Sequence, residues 1–72
     1  MNQDSKITIA TNVKKLREQA KLTREKLSLI LEFENSYISK LENKKVNITI
    51  DRLDKIANYL NVKTFELLIS RE

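Results

Sequence analysis

A stripe of hydrogen-bonding side chains lies at helical spacing on one side of the segment 35–43, opposite Ile38 and Leu41. Its members are Asn35, Ser36, Ser39, Lys40 and Asn43. Such side chains can pair with the donors and acceptors that base edges present in the DNA major groove. A helix that faces only solvent more often carries Glu, Lys or Gln, because Asn and Ser are poor helix formers. On its own, the stripe is equally consistent with base recognition and with a plain polar surface.

The residue types that are missing exclude most kinds of catalysis. The chain has 72 residues and contains no Gly, Pro, Cys or His. Without Cys and His it can form no disulfide, no ordinary zinc site and no Ser-His triad. Phosphate loops and dinucleotide fingerprints need glycines, so they are excluded too. We therefore expect a binding protein rather than an enzyme, with no metal, cofactor or small-molecule ligand.

The charge is basic and unevenly distributed. Lys and Arg total 14 and Asp and Glu total 10, which gives a net charge of +4, and the whole excess falls within residues 1–24. A basic region favours a polyanion such as nucleic acid, although the same charge could simply keep a small domain soluble. No apolar run approaches the ~18 residues of a membrane span, and the N-terminus does not resemble a signal peptide. We expect a cytoplasmic protein with no membrane partner.

The elements that must position the stripe are helices. Apolar residues follow helical spacing through almost the whole chain, which predicts an all-α fold of five short helices in one domain. The first helix has the apolar residues Ile9, Val13, Leu16 and Ala20. The fourth has Ile50, Leu53, Ile56, Ala57 and Leu60. The predicted caps of the second, fourth and fifth helices are Thr23, Thr49 and Thr64.

The segment 23–43 has the pattern of two helices joined by a tight turn. The first helix runs from Thr23 to Leu31, and Glu32-Phe33-Glu34 forms the turn. The helix that carries the polar stripe follows directly. The alternating segment 46–50 has no partner strand, so we predict an extended loop there.

These segments resemble the helix-turn-helix domain of the Cro and phage-repressor class, the XRE family. The similarity extends over about residues 9–68, and its main segments are 13–19, 22–28, 36–42 and 53–62. The resemblance implies a five-helix, lambda-repressor-like DNA-binding domain over residues 1–72, with the helix-turn-helix at about 23–43. It also implies a sequence-specific, double-stranded DNA-binding transcriptional regulator of bacterial or phage origin, associated with the nucleoid.

The resemblance assigns roles to individual residues. Arg17 and Glu42 match a buried structural ion pair. The base-reading positions match Asn35, Ser36, Ser39 and Lys40. The positions that contact the DNA backbone match Thr23, Arg24, Tyr37, Asn43, Lys44 and Lys45. Asn35 has a second interpretation, as the cap of the recognition helix, because Glu34 stands where relatives have Ser or Asp. Ser28 stands where relatives have Ala, which lets the two helices approach closely.

The missing glycines mark the points at which the chain departs from its relatives. The family commonly has Gly at turns or helix ends where this chain has Lys21, Glu32, Lys44 and Asn61. Gly at such positions usually adopts a left-handed conformation. If that conformation is kept, Lys21, Glu32 and Lys44 should each cost about 1 kcal/mol relative to Gly, whereas Asn61 tolerates it easily.

The resemblance also implies a homodimer, because one recognition helix contacts few bases. A two-fold dimer on a palindromic operator places its half-sites about 34 Å apart. We expect the dimerisation part at about 58–72, although its apolar residues could instead pack within the chain. The interface candidates are Tyr59, Phe65, Leu68 and Ile69.

Three functions remain open within this resemblance. The segments 36–39 and 47–50 are most similar to the controller proteins of restriction–modification systems. The alternatives are a phage-type repressor and an antitoxin-like module that binds a protein partner. Leu29 and Ile30 are apolar where relatives are often polar. We expect them to extend the core, and the alternative is a second protein contact, with RNA polymerase as the candidate partner.

Overall fold

In the computed structural model, which describes residues 4–70, the chain forms an all-α arrangement that ends in a 3₁₀ helix. The α-helices are α1 (Asp4–Gln19), α2 (Arg24–Ile30), α3 (Tyr37–Glu42) and α4 (Ile50–Leu60). The 3₁₀ helix spans Thr64–Leu68. The described residues contain no strand, and the segment before α4 is a loop, as predicted. The prediction of five α-helices is wrong at the fifth, which has only one short turn.

Threonine side chains start two of the helices. The Thr23 hydroxyl accepts a hydrogen bond from the Lys26 amide at 3.0 Å, and the Thr49 hydroxyl accepts one from the Arg52 amide at 3.2 Å. Both predicted caps are therefore confirmed. The predicted cap at Thr64 is wrong, because Thr64 lies inside the 3₁₀ helix and its hydroxyl donates to Asp54 Oδ1 at 2.6 Å.

The four α-helices end in the same way. Each is followed within two residues by a residue with φ between 61° and 65°, and a longer hydrogen bond closes the turn, as in the Schellman motif. The four residues are Lys21, Glu32, Lys44 and Asn61. All four positions therefore keep the left-handed conformation, although the chain has no glycine. The residues that follow three of them, Leu22, Phe33 and Val62, pack against the core.

Replacing Glu32 by Gly is expected to raise the free energy of unfolding by about 1 kcal/mol, because glycine has no Cβ to clash in the left-handed conformation. Urea denaturation followed by circular dichroism measures the change. The matched control is Lys26→Gly at an exposed position inside α2, where the same substitution should lower stability by about 1 kcal/mol. Destabilisation at both positions would contradict this account of the helix end.

Every helix contributes to one apolar core. Its fully buried members with the largest side chains are Leu27, Ile38, Leu53, Ile56 and Leu67. Two residues of the predicted apolar stripes are not buried. Ile50 is 67% exposed because it is the first residue of α4, and Ala20 lies beyond the end of α1. Helix ends project past the core, so spacing alone overestimates burial there.

The connection between α2 and α3 is longer than predicted. α2 ends at Ile30 and α3 begins at Tyr37, so Asn35 and Ser36 lie before the helix rather than in it. The extra length follows from the left-handed Glu32 and from the edge-to-face packing of Phe33 on Tyr37, with ring centroids 4.9 Å apart. This turn orients α3.

Candidate nucleic-acid interface

The two faces of α3 differ in character. Ile38 and Leu41 point into the core, with exposures of 0% and 4%. Ser39 is half-buried, and Lys40 is exposed on the opposite side. Asn35 and Ser36, just before the helix, are also exposed. The four predicted base-reading residues therefore lie on or next to the outer surface of α3, and their contact with DNA stays a prediction.

The Asn35 side chain does not cap α3 in the structure. The N-cap residue is Ser36, and its side chain makes no capping hydrogen bond. Within residues 4–70, no hydrogen bond joins the Asn35 side chain to an α3 amide. Asn35 is therefore available for a base contact.

The predicted backbone-contacting residues lie at the two ends of the helix-turn-helix. Thr23 and Arg24 are exposed at the start of α2, where the Thr23 hydroxyl is already used as the cap. The loop that follows α3 exposes the other group, namely Asn43, Lys44 and Lys45. Arg24 Nη1 lies 3.8 Å from Glu42 Oε1, so the start of α2 approaches the C-terminal end of α3, where the second cluster begins. Exposed cations gathered there suit contacts with a phosphate backbone.

Tyr37 differs from the other backbone candidates because it is only 9% exposed. Its ring packs against Phe33, and the Arg52 guanidinium lies 4.5 Å from the centroid of each of these two rings. Such cation–π contacts contribute about 0.5–1 kcal/mol each. In this conformation the tyrosine holds α3 against α4, and its proposed DNA contact is limited to the small part that reaches solvent.

Arg52 also neutralises the carboxylate that lies closest to the start of α3. Its guanidinium donates to Glu34 Oε1 at 3.0 Å and to Oε2 at 3.5 Å. This hydrogen bonding lowers the pKa of Glu34 below its ordinary value. The contact therefore stabilises the fold above the pKa of the unfolded state and is lost as the pH falls through the folded pKa. The sequence analysis missed Arg52, whose spacing on α4 gave no signal of the Phe33–Glu34 turn.

A buried ion pair supports the interface from within. Arg17 Nε donates to Glu42 Oε2 at 2.7 Å, and Arg17 Nη2 donates to Glu42 Oε1 at 3.2 Å. The two side chains are 9% and 4% exposed. Arg17 Nη1 also donates to the Leu22 carbonyl at 2.8 Å, and hydrogen bonding to Glu42 raises the pKa of Arg17. The pair joins α1 to the end of α3 and to the turn before α2.

The Arg17–Glu42 pair extends to the surface. Arg24 Nη1 lies 3.8 Å from Glu42 Oε1, and the Arg24 side chain is 47% exposed. The buried Glu42 carboxylate therefore orients the Arg24 guanidinium through one nitrogen, while the remaining donors of Arg24 are free to face a phosphate.

A separate apolar surface lies at the C-terminal end. Tyr59, Phe65, Leu68 and Ile69 are each between 46% and 59% exposed. They are the predicted interface residues, and none of them is core, whereas Leu67 between them is fully buried. Their role in dimerisation stays a prediction.

A buried asparagine holds this surface in place, and the sequence analysis missed it. Asn12 on α1 is 6% exposed, and its Nδ2 lies 3.0 Å from the carbonyls of Leu67 and Ile69 and 3.3 Å from that of Glu66. Its position next to Val13 on the inner face of α1 was the available signal. Asn12 fixes the 3₁₀ helix to α1, so that the apolar side chains point outward.

The expectation that Leu29 extends the core is wrong. Leu29 is 63% exposed on α2, while Ile30 is half-buried. The adjacent core position of α2 is filled by Leu27, with 0% exposure. Since helical spacing turns Leu29 by about 200° from Leu27, the two cannot share a face.

No helix in residues 4–70 has the length and apolar content needed to cross a membrane. In the same part of the chain, no group of Asp and Glu residues is placed to hold a metal ion.

Exposed polar residues on and just before the second helix of a helix-turn-helix, together with exposed cations, are features of the class of DNA-binding helix-turn-helix proteins. A sequence model of the helix-turn-helix family matches residues 13–67, and the chain belongs to that family, in its XRE-type branch. It is therefore a DNA-binding transcription regulator. The family assignment, rather than any missing group, places it outside the enzymes.

Two known proteins show how close the similarity is. The control protein C.MunI of a Mycoplasma species is 34% identical over 65 residues, which cover 89% of this chain and 88% of that protein. A solved structure, the hypothetical transcription factor NHTF from Neisseria, superposes with a TM-score of 0.91 at 28% identity. The superposition covers 96% of this chain and 79% of the Neisseria chain.

Proposed function

We propose that this regulator binds a palindromic DNA operator as a homodimer and serves as the control protein of a restriction–modification system. The observation that carries the proposal is the outer side of α3, where polar side chains reach solvent and the exposed cations Arg24 and Lys45 accompany them. The similarity to a protein named as a control protein, along nearly its whole length, supports the more specific role.

The homodimer is supported by the apolar surface at the C-terminal end. Its four large side chains are about half exposed, and a second copy that packs on them would bury them. Two copies joined there place two α3 helices on one face of the DNA, with half-sites about 34 Å apart. The 58–72 segment is then the dimerisation part, and the remainder of the single domain reads DNA.

A second protein contact is proposed at Leu29. This leucine is 63% exposed on α2, away from the C-terminal apolar surface. Since a regulator bound near a promoter lies beside RNA polymerase, that enzyme is the candidate partner for Leu29.

Replacing Lys45 by Ala is expected to weaken binding to every duplex by about the same factor. The slope of log affinity against log salt concentration should become shallower by about 0.9 for each phosphate contact that is lost. Replacing Ser39 by Ala is instead expected to change which duplex is preferred. Fluorescence anisotropy with a duplex selected from a random pool and a scrambled duplex measures both effects. Lys15→Ala, which removes an equally exposed charge from α1, is the control and should leave binding nearly unchanged. If Lys45→Ala has no more effect than this control, the proposed orientation is wrong.

A further inference from the structure

No side chain of its own segment caps the start of α3, although the Glu34 carbonyl accepts a hydrogen bond from the Tyr37 amide at 2.9 Å. The N-cap residue Ser36 has φ −93° and ψ 5°, whereas a capping residue is ordinarily extended, and its hydroxyl makes no capping bond. The Glu34 carboxylate, which could have served instead, is hydrogen-bonded to Arg52. The first amides of a helix have no partner within the helix, so a short recognition helix needs an acceptor from elsewhere.

Ser28 of α2 supplies that acceptor. Its side chain is fully buried, and its hydroxyl oxygen accepts a hydrogen bond from the Ile38 amide at 3.1 Å. The same hydroxyl donates to the Arg24 carbonyl at 2.9 Å. Because its proton is committed to α2, its lone pair is directed at α3. An uninterrupted hydrogen-bonded chain therefore runs from the first residue of α2 to the first turn of α3.

This chain fixes the position of α3 relative to α2. An N–H···O hydrogen bond is maintained only within about 2.7–3.2 Å, so sliding or rotation of α3 by 1 Å would break the bond. The Ile38 amide lies in the turn that precedes Ser39 and Lys40. Its position therefore sets the depth and the rotation at which those two side chains leave the surface. Arg24, at the other end of the chain, is the residue expected to face a phosphate.

We infer that Ser28 is a positioning residue for base reading, because its hydroxyl caps the recognition helix from the neighbouring helix and holds it in register with the phosphate-facing end of α2. The inference rests on the proposed function, since register matters only if α3 reads bases. Ser28 itself contacts no DNA, as it is fully buried. It acts through Ile38 on the side chains that follow.

The experiment compares Ser28→Ala with a core variant of the full chain. Alanine is smaller than serine and fits the same space, so Ser28→Ala is expected to fold, which circular dichroism checks. Ile56→Val removes one methylene group from the fully buried core position on α4, and it lowers stability while leaving every residue and hydrogen bond of the helix-turn-helix unchanged. The probes are a duplex selected from a random pool by the wild-type protein and a scrambled duplex of equal length.

For Ser28→Ala we expect the ratio of the affinity for the selected duplex to that for the scrambled duplex to fall about tenfold. Binding to the scrambled duplex should be unchanged. Ile56→Val should keep the wild-type ratio. Hydrogen exchange of the Ile38 amide should accelerate about tenfold in Ser28→Ala relative to the Leu53 amide on α4, which tests the cap without DNA.

Two results would overturn the inference while leaving the proposed function intact. The first is a ratio of selected-duplex to scrambled-duplex affinity in Ser28→Ala that equals that of the wild-type protein. The second is an equal loss of this ratio in Ser28→Ala and Ile56→Val, which would show a general effect of stability. A wild-type protein that enriches no duplex from the pool would overturn the proposed function itself, and the positioning role would fall with it.

Discussion

Replacing Glu42 by Leu is expected to lower the free energy of unfolding by about 3–5 kcal/mol, because it leaves the Arg17 guanidinium buried without its carboxylate. A chain of this length has a total stability of about 4–11 kcal/mol, so the variant should be close to unfolding at room temperature. Urea denaturation followed by circular dichroism measures the loss. DNA binding should fall in parallel, since Glu42 lies at the end of α3.

Two further variants separate the buried pair from general effects of charge. Glu18→Gln removes a carboxylate that lies 3.8 Å from the same guanidinium but is 58% exposed, and it should cost less than about 1 kcal/mol. The double replacement Arg17→Met, Glu42→Leu should recover most of the stability, because no unpaired charge remains in the core. A Glu42→Leu variant as stable as Glu18→Gln would show that the pair is not essential to the fold.

Replacing Phe65 by Asp is expected to convert the protein to a monomer and to weaken operator binding at least about 100-fold. Phe65 is 59% exposed, so its removal costs the isolated chain little, whereas a carboxylate at the centre of an apolar interface opposes association. Sedimentation velocity reports the oligomeric state, and anisotropy on the selected duplex reports affinity. Circular dichroism should be unchanged, because the fold does not depend on this side chain.

The control for this variant is Leu29→Asp. Leu29 is similarly exposed, at 63%, but lies on α2 away from the C-terminal surface. The Leu29→Asp variant introduces the same charge, but it should leave the proposed dimer and the DNA affinity nearly unchanged. It should weaken the proposed binding to RNA polymerase. If Leu29→Asp dissociates the dimer and Phe65→Asp does not, the dimer surface has been assigned to the wrong end of the chain.

Much of the fold could be predicted from the sequence because the features that determine it are local. Helical spacing identified the helices, and Thr23 and Thr49 marked two starts through a single hydroxyl each. The four left-handed turns were located only through the resemblance, because relatives have Gly at those positions. The fifth helix was misjudged because its apolar residues could form either an α-helix or one 3₁₀ turn, and spacing does not distinguish these over five residues.

The tertiary contacts behind the candidate site could not be predicted in the same way. Asn12, Ser28 and Arg52 each act on a segment that is distant in sequence, and their residue types suit a surface as well as a buried contact. Ser28 was assigned only a small volume, whereas its hydroxyl accepts the Ile38 amide, and Asn35 had been considered as the cap only as an alternative to base reading. A polar residue in the apolar face of a helix was the available signal at Asn12 and at Ser28.

The most direct test of the central claim, sequence-specific DNA binding through α3, is the affinity of the wild-type protein for its own upstream DNA over a range of salt concentrations. With Arg24, Lys44 and Lys45 of two subunits on phosphates, we expect a log–log slope of about −5. We also expect a preference of at least about 10³-fold over a scrambled duplex. Equal affinity for both duplexes, together with a slope near zero, would contradict the account.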